Sequence, residues 1–222
     1  IERRDFLVAL GTEELPPKAL PELEAAFATS IVSQMDQYGL KHGPYESFST
    51  PRRLAVRVRR LAVQQPDQEI KRRGPPLRAA FDQAGTPTRA GTAFAESCGV
   101  ELAALGREHD AKGVEYLSFA GSRAGAATAT LLPAIVQKSL DALPIPKRMR
   151  WGSGDAQFVR PVHWLVMLFG KEILPATVLD VAAGDSTRGH RFMAPRPIRI
   201  SSPAGYEKAL LSRGKVIAKF AD

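Results

Sequence analysis

Leu20, Leu23, Phe27, Ile31 and Met35 recur at three- and four-residue steps and predict one apolar helical face within Lys18–Tyr38. Thr12, Glu13 and Glu14 of the preceding GTEELPP favour the positive end of that helix, and the Pro pair suits its entry. Before it, the run Asp5–Leu10 reads as a strand closed by Gly11. After it, Tyr45–Ser49 and Leu54–Val63 read as strands joined by the turn STPRR. Leu54, Val56 and Val58 alternate with Ala55, Arg57 and Arg59, which puts arginines on one face of a half-buried sheet. Further along, Glu69–Arg73 and Glu115–Ala120 read as strands, with Pro76–Asp82 and Thr88–Ser97 as short helices between them. Gly99 stops the second of these helices. Leu132, Ile135, Val136 and Leu140 line one side of a helix over Leu131–Leu143, ended by the Pro-Ile-Pro that follows. Val162–Phe169 and Ile173–Val181 are expected to form a hairpin around Gly170-Lys171, and Gly205–Phe220 a mostly helical tail. No regular βαβ alternation appears. The fold class expected is therefore α+β, with mixed, mostly antiparallel sheets packed against helices in one body or in two lobes. A junction between two lobes is expected near residues 143–147.

Composition narrows the function classes. With 222 residues, 44% hydrophobic and 24% charged, the chain has the make-up of an ordinary globular protein. It contains no uninterrupted apolar run long enough to span a bilayer. The opening IERRDFLVAL is not expected to be a signal peptide, because its short apolar part leads directly into charged, Pro-rich sequence. The single cysteine, Cys98, excludes an internal disulfide and fits a reducing compartment, most simply the cytoplasm.

Charge changes the picture more. The net charge is +8, and three segments supply all of it: +7 over Arg52–Arg78, +3 over Lys147–Arg160 and +4 over Arg188–Arg199. The rest of the chain carries −6, so an acidic body bears three basic stretches. Brought together by the fold, they would make a positive surface able to follow a phosphate backbone; scattered, they would only solvate strand edges.

The motifs of nucleotide and metal chemistry are missing. The chain holds no GxxxxGK[ST], GxGxxG, HExxH or GxSxG, and its four histidines and one cysteine lack metal-ligand spacing. Glu13 and Glu14 could act as a metal or acid–base pair, but no His or Asp stands near them in sequence. WGSGD, Trp151–Asp155, resembles the Gly-Ser-acid of a nucleotidyltransferase palm, yet Gln157 occupies the place of the second acid. What remains suits binding. Arginines fork onto phosphate oxygens, and Trp151 either stacks on a base or plugs a core. His190, between Arg188 and Arg191, is either a base-edge donor or a buried structural residue.

Six stretches together closely resemble the N-terminal part of the bacterial glycyl-tRNA synthetase beta subunit. They are GTEELPPKAL (11–20), TPRRLAV (50–56), KRRGPP (71–76), PIPKRMRWG (144–152), FVRPVHWL (158–165) and TRGHRFM (187–193). The resemblance runs in one order over the whole chain. It implies an N-terminal piece of a longer subunit, residues 1–222 being a tRNA-handling region, with HD-like and anticodon-binding regions absent from this chain. It also implies an α2β2 ligase that joins glycine to tRNA(Gly), with ATP and Mg²⁺ used at the alpha subunit and no catalytic residue, metal or cofactor here. The RNA-binding candidates are Arg52, Arg53, Arg72, Arg73, Lys147, Arg148, Arg150, Trp151, Arg160, Arg188, His190 and Arg191. Two other readings stay open: a scaffold that docks the alpha subunit, with tRNA contacts elsewhere, or a nucleotidyltransferase-like RNA-binding domain.

Overall fold

A computed structural model of the chain describes residues 2–145, 148–151, 153, 155 and 157–219. The chain divides into two compact units, Pro66–Gly125 and the remainder (Ile1–Gln65 with Ala126–Asp222). In chain order the elements begin with β1 (Arg3–Thr12), α1 (Leu20–Gln37), β2 (Tyr45–Thr50) and β3 (Arg53–Ala62). Within the inserted unit follow β4 (Gln68–Pro76), α2 (Leu77–Ala80), α3 (Arg89–Cys98), β5 (Gly106–His109) and β6 (Glu115–Arg123). The chain then returns to the larger unit with α4 (Thr128–Asp141), β7 (Met149–Arg150), β8 (Gln157–Phe158), β9 (Val162–Phe169) and β10 (Glu172–Ile173). Last come β11 (Thr177–Val178), β12 (Val181–Gly184), β13 (Ser186–Arg188), β14 (Pro197–Arg199) and α5 (Tyr206–Ala209). The fold is α+β.

The larger unit is built on one sheet of order β11-β12-β9-β1-β3-β2, with β10 also paired to β9. All its pairings are antiparallel except that of β12 with β9. β1 lies at the centre, which is why its apolar run Phe6–Leu10 is buried on both faces rather than alternating. On one face Phe6, Val8, Leu10, Leu54, Val56, Leu165 and Met167 meet the apolar stripes of α1 and α4. The stripe residues of α1 named from the sequence are all buried. Gln34 of α1 donates to Ser139 Oγ of α4 at 2.7 Å, tying the two helices together. On the opposite face Leu7, Ala9, Phe48, Ala55, Val166 and Leu168 are covered by the C-terminal segment through Ile198, Ile200, Tyr206, Leu210 and Ala218.

That covering layer corrects two expectations. The arginines of β3 do share one face, but the face is not open to solvent. Arg57 is 0% exposed, with its Nε and Nη2 on Glu46 and Glu207 at 2.8 and 2.7 Å and its Nη1 on the Pro203 carbonyl at 3.2 Å. The tail is helical only over α5 and one wider turn at Leu210–Gly214, after which it runs without regular structure to residue 219. The expected hairpin also differs in its second arm. β10 does turn back on β9 at Gly170, but Ile173–Val181 is not one strand: a tight turn at Leu179-Asp180, both with positive φ, folds β11 onto β12. β12 then runs parallel to β9.

Within the inserted unit the three strands take the order β4-β6-β5, all antiparallel. Its first short helix is a single turn, Leu77–Ala80. Gly99 ends α3 with a left-handed backbone (φ 70°), as the sequence leads one to expect. β5, GREH, carries no apolar alternation and is exposed throughout, so periodicity gave no sign of it.

Candidate functional site

Gly11, near the end of β1, faces Arg53 at the start of β3 on one side and Trp164 near the start of β9 on the other. Two strands of separation would normally keep these large side chains apart. A Cβ on Gly11 would lie 1.8 Å from Trp164 Cε2, so the glycine lets the indole lie flat across β1. The Arg53 guanidinium stands over that indole at 5.4 Å from its centroid. Thr12, Glu13, Arg52 and His163 continue the same rim, and the loop after β13 closes the other side with Arg188, Gly189, Arg191, Ala194 and Pro195. The enclosed cleft has a volume of about 530 Å³. Four of the six stretches singled out in the sequence thus meet at one place.

The loop is held in a defined shape. A Cβ on Gly189 would come within 2.5 Å of the Gly214 carbonyl oxygen, so only glycine lets these backbones touch. The His190 N–H donates to that same oxygen at 2.7 Å. His190 Nδ1 accepts the N–H groups of Phe192 and Met193 at 3.3 and 3.2 Å, which fixes it as the unprotonated nitrogen of this arrangement. The turn so formed leaves Phe192 79% and Met193 64% exposed.

Charge on the rim is partly internal. Glu13 accepts from His163 Nε2 at 2.7 Å and from Arg52 Nη2 at 2.5 Å. These two bonds, His163 first, hold its carboxyl below the ordinary value. Glu13 therefore bridges β3 and β9, and it does not serve the start of α1, which begins only at Leu20. Arg53 is different: it is 4% exposed, its Nη2 donates to the Arg188 carbonyl at 2.5 Å, and among the described residues its Nε and Nη1 have no well-formed hydrogen bond. It stands beside the buried Tyr206 hydroxyl: burial pushes that phenol up, and Arg53 opposes the rise through its charge and a long, poorly aligned contact with the hydroxyl.

Of the residues expected to bind RNA, the fold gathers Arg52, Arg53, Arg188 and Arg191 at the cleft, with His190 shaping its loop. Arg160 donates to the Glu14 carbonyl at 3.0 Å and is half-buried. Arg148 donates to the carbonyl of Asp141, at the end of α4, and Arg150 faces exposed Asp155 at 3.4 Å. Trp151 packs half-buried against the core on the helix-covered face. Lys147 lies outside the described residues, as do Gly152 and Gly154 of WGSGD. Arg72 and Arg73 belong to the inserted unit: Arg72 donates to the Ser97 carbonyl at 2.8 Å, while Arg73 stacks 4.0 Å from the Tyr116 ring and pairs with Glu108. Sequence reasoning missed Thr12, His163 and Trp164. Their only signal was adjacency to arginine-bearing stretches at strand ends.

Comparison with known proteins places a chain of this make-up among aminoacyl-tRNA synthetase families. It belongs to the glycyl-tRNA synthetase beta subunit family, whose model matches residues 6–222. It is 50% identical over 220 residues to a protein of Hahella chejuensis named glycine–tRNA ligase beta subunit, covering 99% of this chain and 32% of that one. A protein of the same name from Marinobacter nauticus is 49% identical over 219 residues, and one from Pseudomonas aeruginosa 50% over 220. The chain thus spans about a third of the length of these relatives.

Proposed function

We propose that this chain is the tRNA-handling part of a glycine–tRNA ligase beta subunit, and that the arginine-lined cleft and its loop are where the tRNA backbone meets it. The observation that carries this reading is the state of Arg188 and Arg191. Both are exposed on the cleft rim and, among the described residues, neither has a carboxylate partner, while Arg52 and Arg53 stand behind them. Cations left free on one concave rim are what a phosphate backbone releases its counterions to meet. The relatives' name supports a reaction that joins glycine to tRNA; in our reading the enzyme that carries it out is a cytoplasmic α2β2 assembly. Glycine activation with ATP and Mg²⁺ falls to the alpha subunit.

The test is tRNA binding by the complete α/β enzyme across a salt series. With about four to six phosphate contacts, affinity falls steeply between low and physiological salt, and replacing Arg188 and Arg191 by Ala flattens the slope. An affinity indifferent to salt would overturn the reading. Exposed Phe192 and Met193 favour a second one, in which the loop docks the alpha subunit. In that case the same double variant would lose alpha-subunit co-purification while keeping its tRNA affinity.

A further inference from the structure

β3 buries two arginines four residues apart on one face, and the fold treats them differently. Arg57 is met by two carboxylates, Glu46 and Glu207, both at 2.7 Å. Arg53 is 4% exposed and, among the described residues, has no carboxylate within salt-bridge reach. One carbonyl takes its Nη2, and among the described residues its Nε and Nη1 take no well-formed hydrogen bond, with only the neutral Tyr206 hydroxyl beside the guanidinium. A buried guanidinium without a counter-charge is costly, and such a site persists where an anion completes it. Arg53 lines the cleft together with Arg52, Arg188 and Arg191, against the single carboxylate of Glu13, which His163 and Arg52 already occupy.

We propose that the cleft is a phosphate site in which Arg53, Arg52, Arg188 and Arg191 together hold one phosphate group of a nucleotide. The proposal rests on the tRNA reading only for the source of that phosphate. Several guanidinium forks around one cleft outmatch a single carboxylate and suit the unbridged oxygens of a phosphate, two in an RNA backbone and three in a terminal monoester. A volume of about 530 Å³ is of the size that holds a nucleotide. Because Arg53 belongs to the sheet while Arg188 and Arg191 belong to the covering segment, the bound phosphate also ties that segment down. Ligand binding should therefore register as stability.

The experiment uses the full-length beta subunit carrying this chain. Inorganic phosphate and then AMP are titrated at constant ionic strength, with chloride as control, reading the melting temperature and the calorimetric stoichiometry. Phosphate and AMP are each expected to saturate at one per chain and raise the melting temperature where chloride does not. Arg188→Ala/Arg191→Ala, both exposed, should require roughly tenfold more of either ligand, the affinity carried by one strong ionic bond. Arg53→Met should melt no lower than wild type without phosphate and respond no longer to it. An equal rise in chloride, or an unshifted titration in the double variant, overturns the phosphate site even if Arg53→Met fails to fold. A tRNA transcript that displaces AMP names RNA as the source of the phosphate. AMP bound but not displaced leaves the site standing for a free nucleotide and removes the tRNA reading. tRNA bound with no response to phosphate or AMP does the reverse.

Discussion

Arg57 and Glu13 show how single residues carry the architecture. Arg57 is placed by strand alternation alone, but its burial under α5 makes it dependent on Glu46 and Glu207. Replacing Arg57 by Met leaves Glu207 without its cation and strips the guanidinium bond from the Pro203 carbonyl. Unfolding stability should drop by about 1–2 kcal/mol, measured by urea denaturation, for the lost charge-assisted hydrogen bonds, because the carboxylates left behind are partly solvated and Glu46 keeps Arg59. Glu13 gives a pH signature. Its folded-state carboxyl is held below 4.5 by His163 and Arg52. A carboxyl with a depressed folded pKa contributes stability above its unfolded pKa and loses it as pH falls through the folded one. The melting-temperature gap between wild type and Glu13→Gln should therefore be full at neutral pH and close as pH falls below 4.5 through the depressed folded-state value. A gap that widened on acidification would contradict the assignment.

At the scale of elements, period and position separate what could be read from what could not. α1, α4, β1, β3 and β9 follow their apolar patterns because each buries a stripe or both faces against a large neighbour. β5 and β10–β12 are short and bury little, so their pairing partners, not their own residues, determine them. β7 belongs with them: two exposed residues paired to β8, preceded by Arg148 and followed by Trp151. Replacing Lys147, Arg148 and Arg150 together by Ala tests this element. Arg150 is exposed and Arg148 half-buried, and surface substitutions shift stability by about half a kcal/mol each, so the melting temperature should move little, while tRNA affinity of the α/β enzyme falls. A large drop in melting temperature with unchanged affinity would assign the stretch to the scaffold instead, through the hydrogen bond that Arg148 donates to the Asp141 carbonyl at the end of α4.

For the whole molecule, the division into two units and the convergence of distant stretches matter most. The beta subunit alone is expected to show no glycine-dependent ATP–pyrophosphate exchange; exchange by preparations free of alpha subunit would place activation here. From its order of residues the chain already determined the α+β class, the main strands and helices, the family resemblance and the arginines worth watching, because these depend on local period and on residue type. It did not determine that residues 66–125 form a unit of their own, nor that Arg53, Trp164 and Arg188 share one cleft across Gly11. Nor did it separate Arg57, matched by two carboxylates, from Arg53, matched by none among the described residues. Those outcomes rest on strand register and on the C-terminal segment covering one face of the sheet. Such contacts join residues more than a hundred positions apart, as Arg53 is bonded to Arg188, and local pattern carries no record of them.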